Sequence, residues 1–503
     1  EWVAPYSGAF DDGWERWRER TFERQVAAGI VPEGTSLTPR PSWVQPWDEL
    51  DEPARRLFAR MQEVYAGFLT HTDHQIGRVI EHLRAIGELD NTIVVLSSDN
   101  GASAEGGVVG SVNEHRFTKR LPESVEENLR WIDELGGPRT YNHYPWGWAW
   151  AGNTPHRLWK RYAWLGGTRT PLIVHWPEGI AAHGEIREQF VHAVDVAPTI
   201  LDLCGIEQPS VVDGITQQPV DGASLRATFD DADAPSPRSR QYFEIQGSRA
   251  MYLDGWKATT DHVGTAHGDE IELMEGSRDF TEDRWALFHL DEDFSEAHDL
   301  AADHPERLAD LEAAWWEEAE RSHVLPLDDG YVGRMPAISP PPYPPPLQVT
   351  YRTGGGPVAD EALPVLVRGF TLSAEVDIVH GAEGVIVAMG DWTSGFALFA
   401  HDGAIALHLS LSGDHVRIDA PLPVPGPARL GMRYRPTSPE SGTIELLVDE
   451  EPAAVLELDR TLPNSWQNGG TGLTIGHDHG FPVCDDYEPP FRWNGRIDRI
   501  EIT

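Results

Sequence analysis

The feature that most constrains this chain is a change of pattern across Ser339–Pro346, reading SPPPYPPP. Proline fixes φ and lacks a backbone donor, so such a run is stiff, extended and a natural boundary. After it, short segments alternate apolar and polar residues between Gly and Asp turns, among them Phe370–Ile378, Gly384–Met389, Phe396–His401, Ile405–Leu411, Thr443–Val448 and Arg496–Ile502. That pattern predicts an antiparallel β-sandwich. Before it, helical and strand-like segments mix in the manner of an α/β domain. The expected organisation is therefore an α/β domain over 1–338, a linker over 339–346 and a sandwich over 347–503.

Within the first part, GWERWRERTFERQVAA (Gly13–Ala28) reads as a helix and Val31–Trp47 as a proline-punctuated loop. From Pro53 a long helix is expected, with Leu57, Met61, Val64, Tyr65, Phe68, Leu69, Ile76, Val79, Ile80 and Leu83 forming one buried stripe. The run Thr92–Leu96 then leads into Ser97, Ser98, Asp99, Asn100 and Gly101. Its β-branched residues favour a pleated strand, and its lack of alternation predicts a parallel strand covered on both faces. Ligands in open α/β sheets sit beyond the carboxyl ends of such strands, where Asp99 and Asn100 stand; the same tripeptide is also a common strand-end turn. Residues 102–157, with the aromatic run Tyr141–Trp150, read as a long insertion of the kind that walls active sites. A second strand is expected at Pro171–Trp176, a helix at Val191–Cys204, short strands over 241–291 and a helix at Pro305–Ser322.

With 81 acidic and 40 basic residues the net charge is −41, a field that excludes nucleic acid and anionic membrane as natural partners. An anion-handling site would need its own local cations. Cys204 and Cys484, the only cysteines, are both expected to be free. No apolar run reaches 18 residues, so no membrane span is expected. The first residue is Glu1 rather than Met, so the natural start of the gene product and any targeting information are expected elsewhere; the compartment stays unknown.

Four separated stretches resemble the sulfatase family, closest to bacterial arylsulfatases of alkaline-phosphatase-like fold. They are QEVYAGFLTHTDHQIGRVIEHLRAIGELDNTIVVLSSDNG, RLWKRYAWLGGTRTPLIVHWP, VDVAPTILDLCG and WALFHLDEDFSEAHDLAADHPERLADL, in the family's order over roughly residues 1–335. The resemblance implies that Asp99 and Asn100 ligate a divalent cation, usually Ca2+, and that Lys160 contacts the sulfate group in catalysis. Hard oxygens suit calcium, and an ammonium suits a sulfate oxygen; a lone lysine is also commonly just a solvated surface residue. His143, His156 and Trp148 are weaker candidates for pocket walls. Asp73 and His74 read as structural or surface residues, and His192 and Asp195 carry no expected chemistry.

The chain also departs from that family's pattern. The formylglycine nucleophile arises in C/S-x-P-x-R, and no cysteine or serine here has that setting; Ser36 gives SLTPR, with Pro one place too late. The further aspartate ligands and the Lys-x-His contacts of the family are absent too. The chain is expected to be the C-terminal portion of such a domain, lacking its N-terminal portion and inactive alone, with the missing half a possible partner. The implied substrate is a sulfate-ester small molecule or a sulfated glycan. Alternatives are a phosphodiesterase of the same superfamily, or a carbohydrate-binding protein with an inert α/β part. The C-terminal part resembles concanavalin-like or laminin-G-like sandwiches, with Asp478, His479, Asp485 and Asp486 as uncommitted loop candidates for calcium.

Overall fold

The computed structural model describes residues 1–118, 121–260, 262, 280–329, 347–364, 366–438, 441–463, 466 and 472–503; the expected linker 339–346 lies outside them. The chain forms two compact units, Glu1–Gly110 with Tyr144–Met335, and Ser111–His143 with Pro336–Thr503.

In the first unit, α1 (Gly13–Ala27) and the long α2 (Glu52–Ala85) precede a short strand, β1 (Val94–Ser97). Asp51 caps α2, its carboxylate accepting from the Ala54 N–H at 2.8 Å, which satisfies one of the orphan donors of the first turn. The apolar stripe of α2 is buried only in its first half, at Leu57, Phe58, Met61 and Val64; Phe68, Leu69 and Val79 are exposed, against the expectation of one buried stripe. Periodicity records which residues share a face, and the far half of that face is only partly covered, with Ile76, Ile80 and Leu83 half-buried.

Strand β1 also departs from expectation. It pairs antiparallel, not parallel, with β2 (Leu172–His175) in a two-stranded sheet, with Leu96 opposite Ile173. Leu96 is 42% and Ile173 56% exposed, so the run is not covered on both faces. The apolar character of the run was readable, but strand direction and cover are set by neighbours rather than by the run itself.

The aromatic run does not form a wall. It folds into α3 (Trp146–Gly152), whose Trp148 lies in a core with Trp14, Trp47 and Phe10. Two glycines make room for it. A Cβ on Gly147 would stand 2.4 Å from the Trp14 ring, and one on Gly13, at φ +84°, 2.1 Å from that of Trp47. Arg18 of α1 locks this core to the chain beyond α3. Its guanidinium donates to the carbonyls of Trp150, Pro155 and His156 and to the Thr38 hydroxyl, at 2.7–3.0 Å.

The Val191–Cys204 segment is a 3-10 turn (Ala193–Asp195) running into α4 (Val196–Leu203). His192 and Asp195 form its capping box, and buried Asp195 pairs with Arg238, so both are structural. The short strands form an antiparallel sheet of β3 (Arg240–Ile245), β4 (Ser248–Leu253), β5 (Trp256–Thr260) and β6 (Trp285–His289). Against it lies α5 (Pro305–Arg321), whose Leu311, Ala314, Trp315 and Ala319 share a core with Met251, Ala258 and Leu287.

The second unit is a sandwich. Its strands in chain order are β7 (Val349–Tyr351), β8 (Phe370–Ile378), β9 (Gly384–Gly390), β10 (Gly395–His401), β11 (Ala404–Leu411), β12 (Asp414–Pro421), β13 (Gly426–Ser438), β14 (Ser441–Val448), β15 (Glu451–Leu458), β16 (Thr474–Ile475) and β17 (Arg496–Ile502). They make a six-stranded sheet, β15-β14-β13-β8-β17-β7, and a five-stranded sheet, β12-β11-β10-β9-β16, all antiparallel. Alternate residues of β8 (Phe370, Leu372, Ala374, Val376, Ile378) meet Phe396, Leu398 and Leu407 of the facing sheet in one core. Residues 111–143 belong to this unit: the Asn113 amide donates to the Thr393 carbonyl at 2.9 Å, and Arg139 pairs with Asp485 at 2.7 Å. Both cysteines are free. No helix among the described residues is long and apolar enough to cross a membrane.

Buried His262 ties the end of the β3–β6 sheet region together, its Nδ1 2.8 Å from Asp283 and its Nε2 3.0 Å from Asp329. Burial alone would lower its pKa, but the hydrogen bonds and charges of the two carboxylates outweigh it and the net shift is upward. A folded-state pKa above the unfolded value of about 6.5 gives stability that is full below that pH and is lost as pH rises through the folded value. In urea denaturation followed by tryptophan fluorescence, the wild-type midpoint should therefore fall more between pH 6 and pH 9 than that of His262→Asn. Parallel pH profiles would refute the assignment.

Candidate functional site

The chain leaves β1 into Ser98-Asp99-Asn100-Gly101 under a close backbone contact. The Gly101 N–H donates to the Gly167 carbonyl at 3.0 Å, and a Cβ on Gly101 would lie 1.7 Å from the Gly166 carbonyl oxygen. Glycine is required here by that approach rather than by the sharp turn the sequence suggested. The facing glycines are equally confined: a Cβ on Gly166 would be 2.1 Å from the Arg157 carbonyl, and one on Gly167 2.1 Å from that of Tyr162.

These contacts fix where the candidate side chains stand. Asp99 is exposed and Asn100 partly buried. The Asp99 Oδ1 accepts from the Asn100 backbone N–H at 3.0 Å, and the Asn100 Nδ2 donates to the Gly101 carbonyl at 2.9 Å, which leaves the Asn100 amide oxygen as the side chain's acceptor. The Lys160 N–H donates to the Ala102 carbonyl at 3.0 Å, so Lys160 is registered directly against the residues after Asn100. Asn153 reinforces the junction, its Oδ1 accepting from the Ala102 N–H and its Nδ2 donating to the Leu158 carbonyl.

Asp99, Asn100 and Lys160 all line one cleft of about 2870 Å³ within the first unit. Arg161 and Arg169 line it as well, and so do acidic residues such as Glu185, Glu188 and Asp291. The Lys160 ammonium lies 2.7 Å from the Glu105 carboxylate, which is also 3.7 Å from Arg161. Sequence reasoning passed over Glu105, Arg161 and Arg169. Arg161 and Arg169 flank the Gly-Gly turn that drew attention to Lys160, and that proximity was the available signal.

The weaker candidates do not gather here. Trp148 and His156 are buried, Trp148 in the aromatic core and His156 stacked on Phe294 with burial holding its pKa well below the usual histidine value. His143 belongs to the other unit. His74 and Asp73 are exposed on α2.

The donors at Asp99 and Asn100 fit calcium in kind, a carboxylate and an amide oxygen, but they are two against the ~6–8 oxygens such an ion takes. Among the described residues no three His, Cys, Asp or Glu ligand atoms gather at Asp99.

A buried ion pair supports the segment that carries Lys160. The Lys257 ammonium stands 2.6 Å from Glu296 and donates to the Ala163 carbonyl, while the other Glu296 oxygen accepts from the Leu165 N–H at 2.7 Å. Burial pulls the Lys257 pKa below the usual range despite the opposing pull of Glu296. Removing one partner strands a buried charge, so Lys257→Met should cost about 3–5 kcal/mol in urea unfolding. The double variant Lys257→Met/Glu296→Gln should recover part of that loss. A single variant as stable as wild type would show that the pair carries no such weight.

Residues 1–206 match the family model described as Sulfatase, and residues 155–321 match that of the N-sulphoglucosamine sulphohydrolase C-terminal region. An uncharacterized sulfatase of Schizosaccharomyces pombe is 29% identical over 340 residues, covering 65% of this chain and 56% of that protein. An arylsulfatase of Klebsiella aerogenes is 29% identical over 228 residues, covering 45% of this chain and 47% of that protein. The crystal structure of Ps i-CgsB aligns over 65% of this chain and 60% of that one at 17% identity, with a TM-score of 0.36. The chain spans about half the length of these curated relatives. Over residues 1–321 the chain is thus similar to sulfatases, and its likeness to arylsulfatases is distant.

Proposed function

We propose that the first unit contributes the sulfate-recognising part of a sulfuric ester hydrolase. The observation that carries this reading is the alignment of Asp99, Asn100 and Lys160 along one cleft with Arg161 and Arg169. A sulfate ester spreads negative charge over its oxygens, and that charge grows on the bridging oxygen as the S–O bond breaks. An ammonium fixed by its own backbone can grip the ester and offset the developing charge without reorganising. Asp99 and Asn100 would hold a divalent cation through their oxygens, and such a cation supplies Lewis-acid polarisation of the sulfate. Glu105 pairs with the Lys160 ammonium, and an anion entering the cleft would have to compete with it. No cysteine or serine stands in C/S-x-P-x-R, so no attacking group is assigned among this chain's residues.

The test is binding rather than turnover. Calorimetric titration of the whole chain with inorganic sulfate and an unreactive aryl sulfonate should show saturable binding that tightens when calcium is added. Lys160→Ala should weaken it by roughly tenfold to a hundredfold, the worth of one charge-assisted hydrogen bond. Glu105→Gln should strengthen it by releasing the ammonium, and Asp99→Ala should abolish the calcium effect while leaving calcium-free binding in place. Equal affinities in wild type and Lys160→Ala would sink the reading.

A further inference from the structure

A second site stands in the sandwich, on the face of the five-stranded sheet turned away from the shared core. Val385, Ala388, Ala397, Phe399 and Ala406 of that face are covered by Val483, Cys484 and Tyr487 from the loop between β16 and β17. Beside this small core, His408 of β11, Cys484 and Asp486 bring one ligand atom each to within 4.8 Å of one another. We propose that these three residues bind a transition-metal ion of the zinc type, clipping the loop that carries Cys484 and Asp486 onto β11.

The donor set decides the class of ion. One imidazole nitrogen, one thiolate and one carboxylate suit zinc and its borderline-soft neighbours, and are wrong for calcium or magnesium. With bonds of ~2.0–2.3 Å, a tetrahedral ion places its ligand atoms about 3.3–3.8 Å apart. The His408 Nδ1 already lies 3.4 Å from an Asp486 oxygen. Three protein ligands leave the fourth position for water.

The surroundings prepare each ligand. The His408 Nδ1 is buried, and beyond the Asp486 carboxylate at 3.4 Å it has no close polar partner among the described residues. On the other side of the ring, its Nε2 is 3.0 Å from the Nδ1 of His415. If that contact is an N–H of His408 donating to His415, the lone pair of His408 is left on Nδ1, facing Cys484 and Asp486; this is the role an outer partner plays for a ligating histidine. Arg417, opposite His408 in the β11–β12 register, holds the Asp486 Oδ1 at 2.7 Å and leaves Oδ2 to the His408 side. Cys484 is 1% exposed. Coordination expels the thiol proton: Cys–SH plus M2+ gives Cys–S–M+ plus H+, the proton leaving to solvent.

Cobalt(II) reports all of this on the full chain. After chelator treatment, titration with Co2+ should give one equivalent of a near-ultraviolet thiolate-to-cobalt charge-transfer band, visible bands of tetrahedral cobalt, and release of one proton per metal. Cys484→Ser should abolish the charge-transfer band, and His408→Ala should weaken binding at least tenfold. Because Cys484 is part of a core, Cys204→Ser gives an independent decision: with Cys484 as the sole thiol, the band must persist at full intensity. Absence of the band in wild type, its loss in Cys204→Ser, or its survival in Cys484→Ser would each overturn the proposal.

Discussion

The candidate site depends on one buried ion pair. Lys257 and Glu296 come from the β3–β6 sheet and from the loop after it, yet their polar atoms reach the backbone at Ala163 and Leu165. A buried pair of this kind contributes little net stability compared with a well-matched apolar pair, but it is intolerant of displacement. It therefore works as a positional constraint. The turn it holds continues into Gly166 and Gly167, whose carbonyls press against Gly101, and Gly101 follows Asp99 and Asn100 directly. Two chain segments more than fifty residues apart in sequence are thus fixed to each other through contacts that no side chain could enter.

Much of the secondary structure could be read from residue pattern. The period-2 strands of the sandwich, the helix after Asp51 and the short strands over 241–291 all form close to where local pattern places them. What could not be read is what each surface meets. The run at Val94–Ser97 carries no information on strand direction, and β1 runs antiparallel to β2. The stripe on α2 continues past Phe68 although its cover there is only partial. The tryptophans of Trp146–Trp150 are consistent with a pocket wall or a core, and it is Gly13 and Gly147, by admitting the rings of Trp47 and Trp14, that decide for a core. Residues 111–143 could not be assigned to the second unit from local pattern, because the contacts that tie them to it, Asn113 to Thr393 and Arg139 to Asp485, reach far away in sequence.

The site was legible to a similar extent. Asp99, Asn100 and Lys160 do share one cleft, but the carboxylate beside Lys160 was invisible to motif reading, since Glu105 sits in an unremarkable stretch. Of the cluster at His408 only Asp486 was singled out in the sequence, and for calcium rather than for an ion of the zinc type. Its three residues lie 76 and 2 positions apart in sequence, on no recognisable ligand spacing, and only the loop between β16 and β17 folding over the sheet brings them together.

Charge accounts for the form of the cleft. A chain of net charge −41 repels anions at long range, so an anion must be retained by cations it meets at close quarters. In the proposed reading Lys160 and Arg161 would meet that need without becoming free positive charges, because each lies near the carboxylate of Glu105. Glu105 is almost wholly enclosed whereas Lys160 stays about one-third exposed, so the ammonium can turn toward an incoming oxyanion while its carboxylate partner stays in place. The exchange swaps one anionic partner for another and keeps the number of opposite-charge contacts nearly constant. In the proposed reading, selectivity would come from geometry, from how well several oxygens on one centre could reach Lys160 and a cation held by the oxygens of Asp99 and Asn100, rather than from total charge.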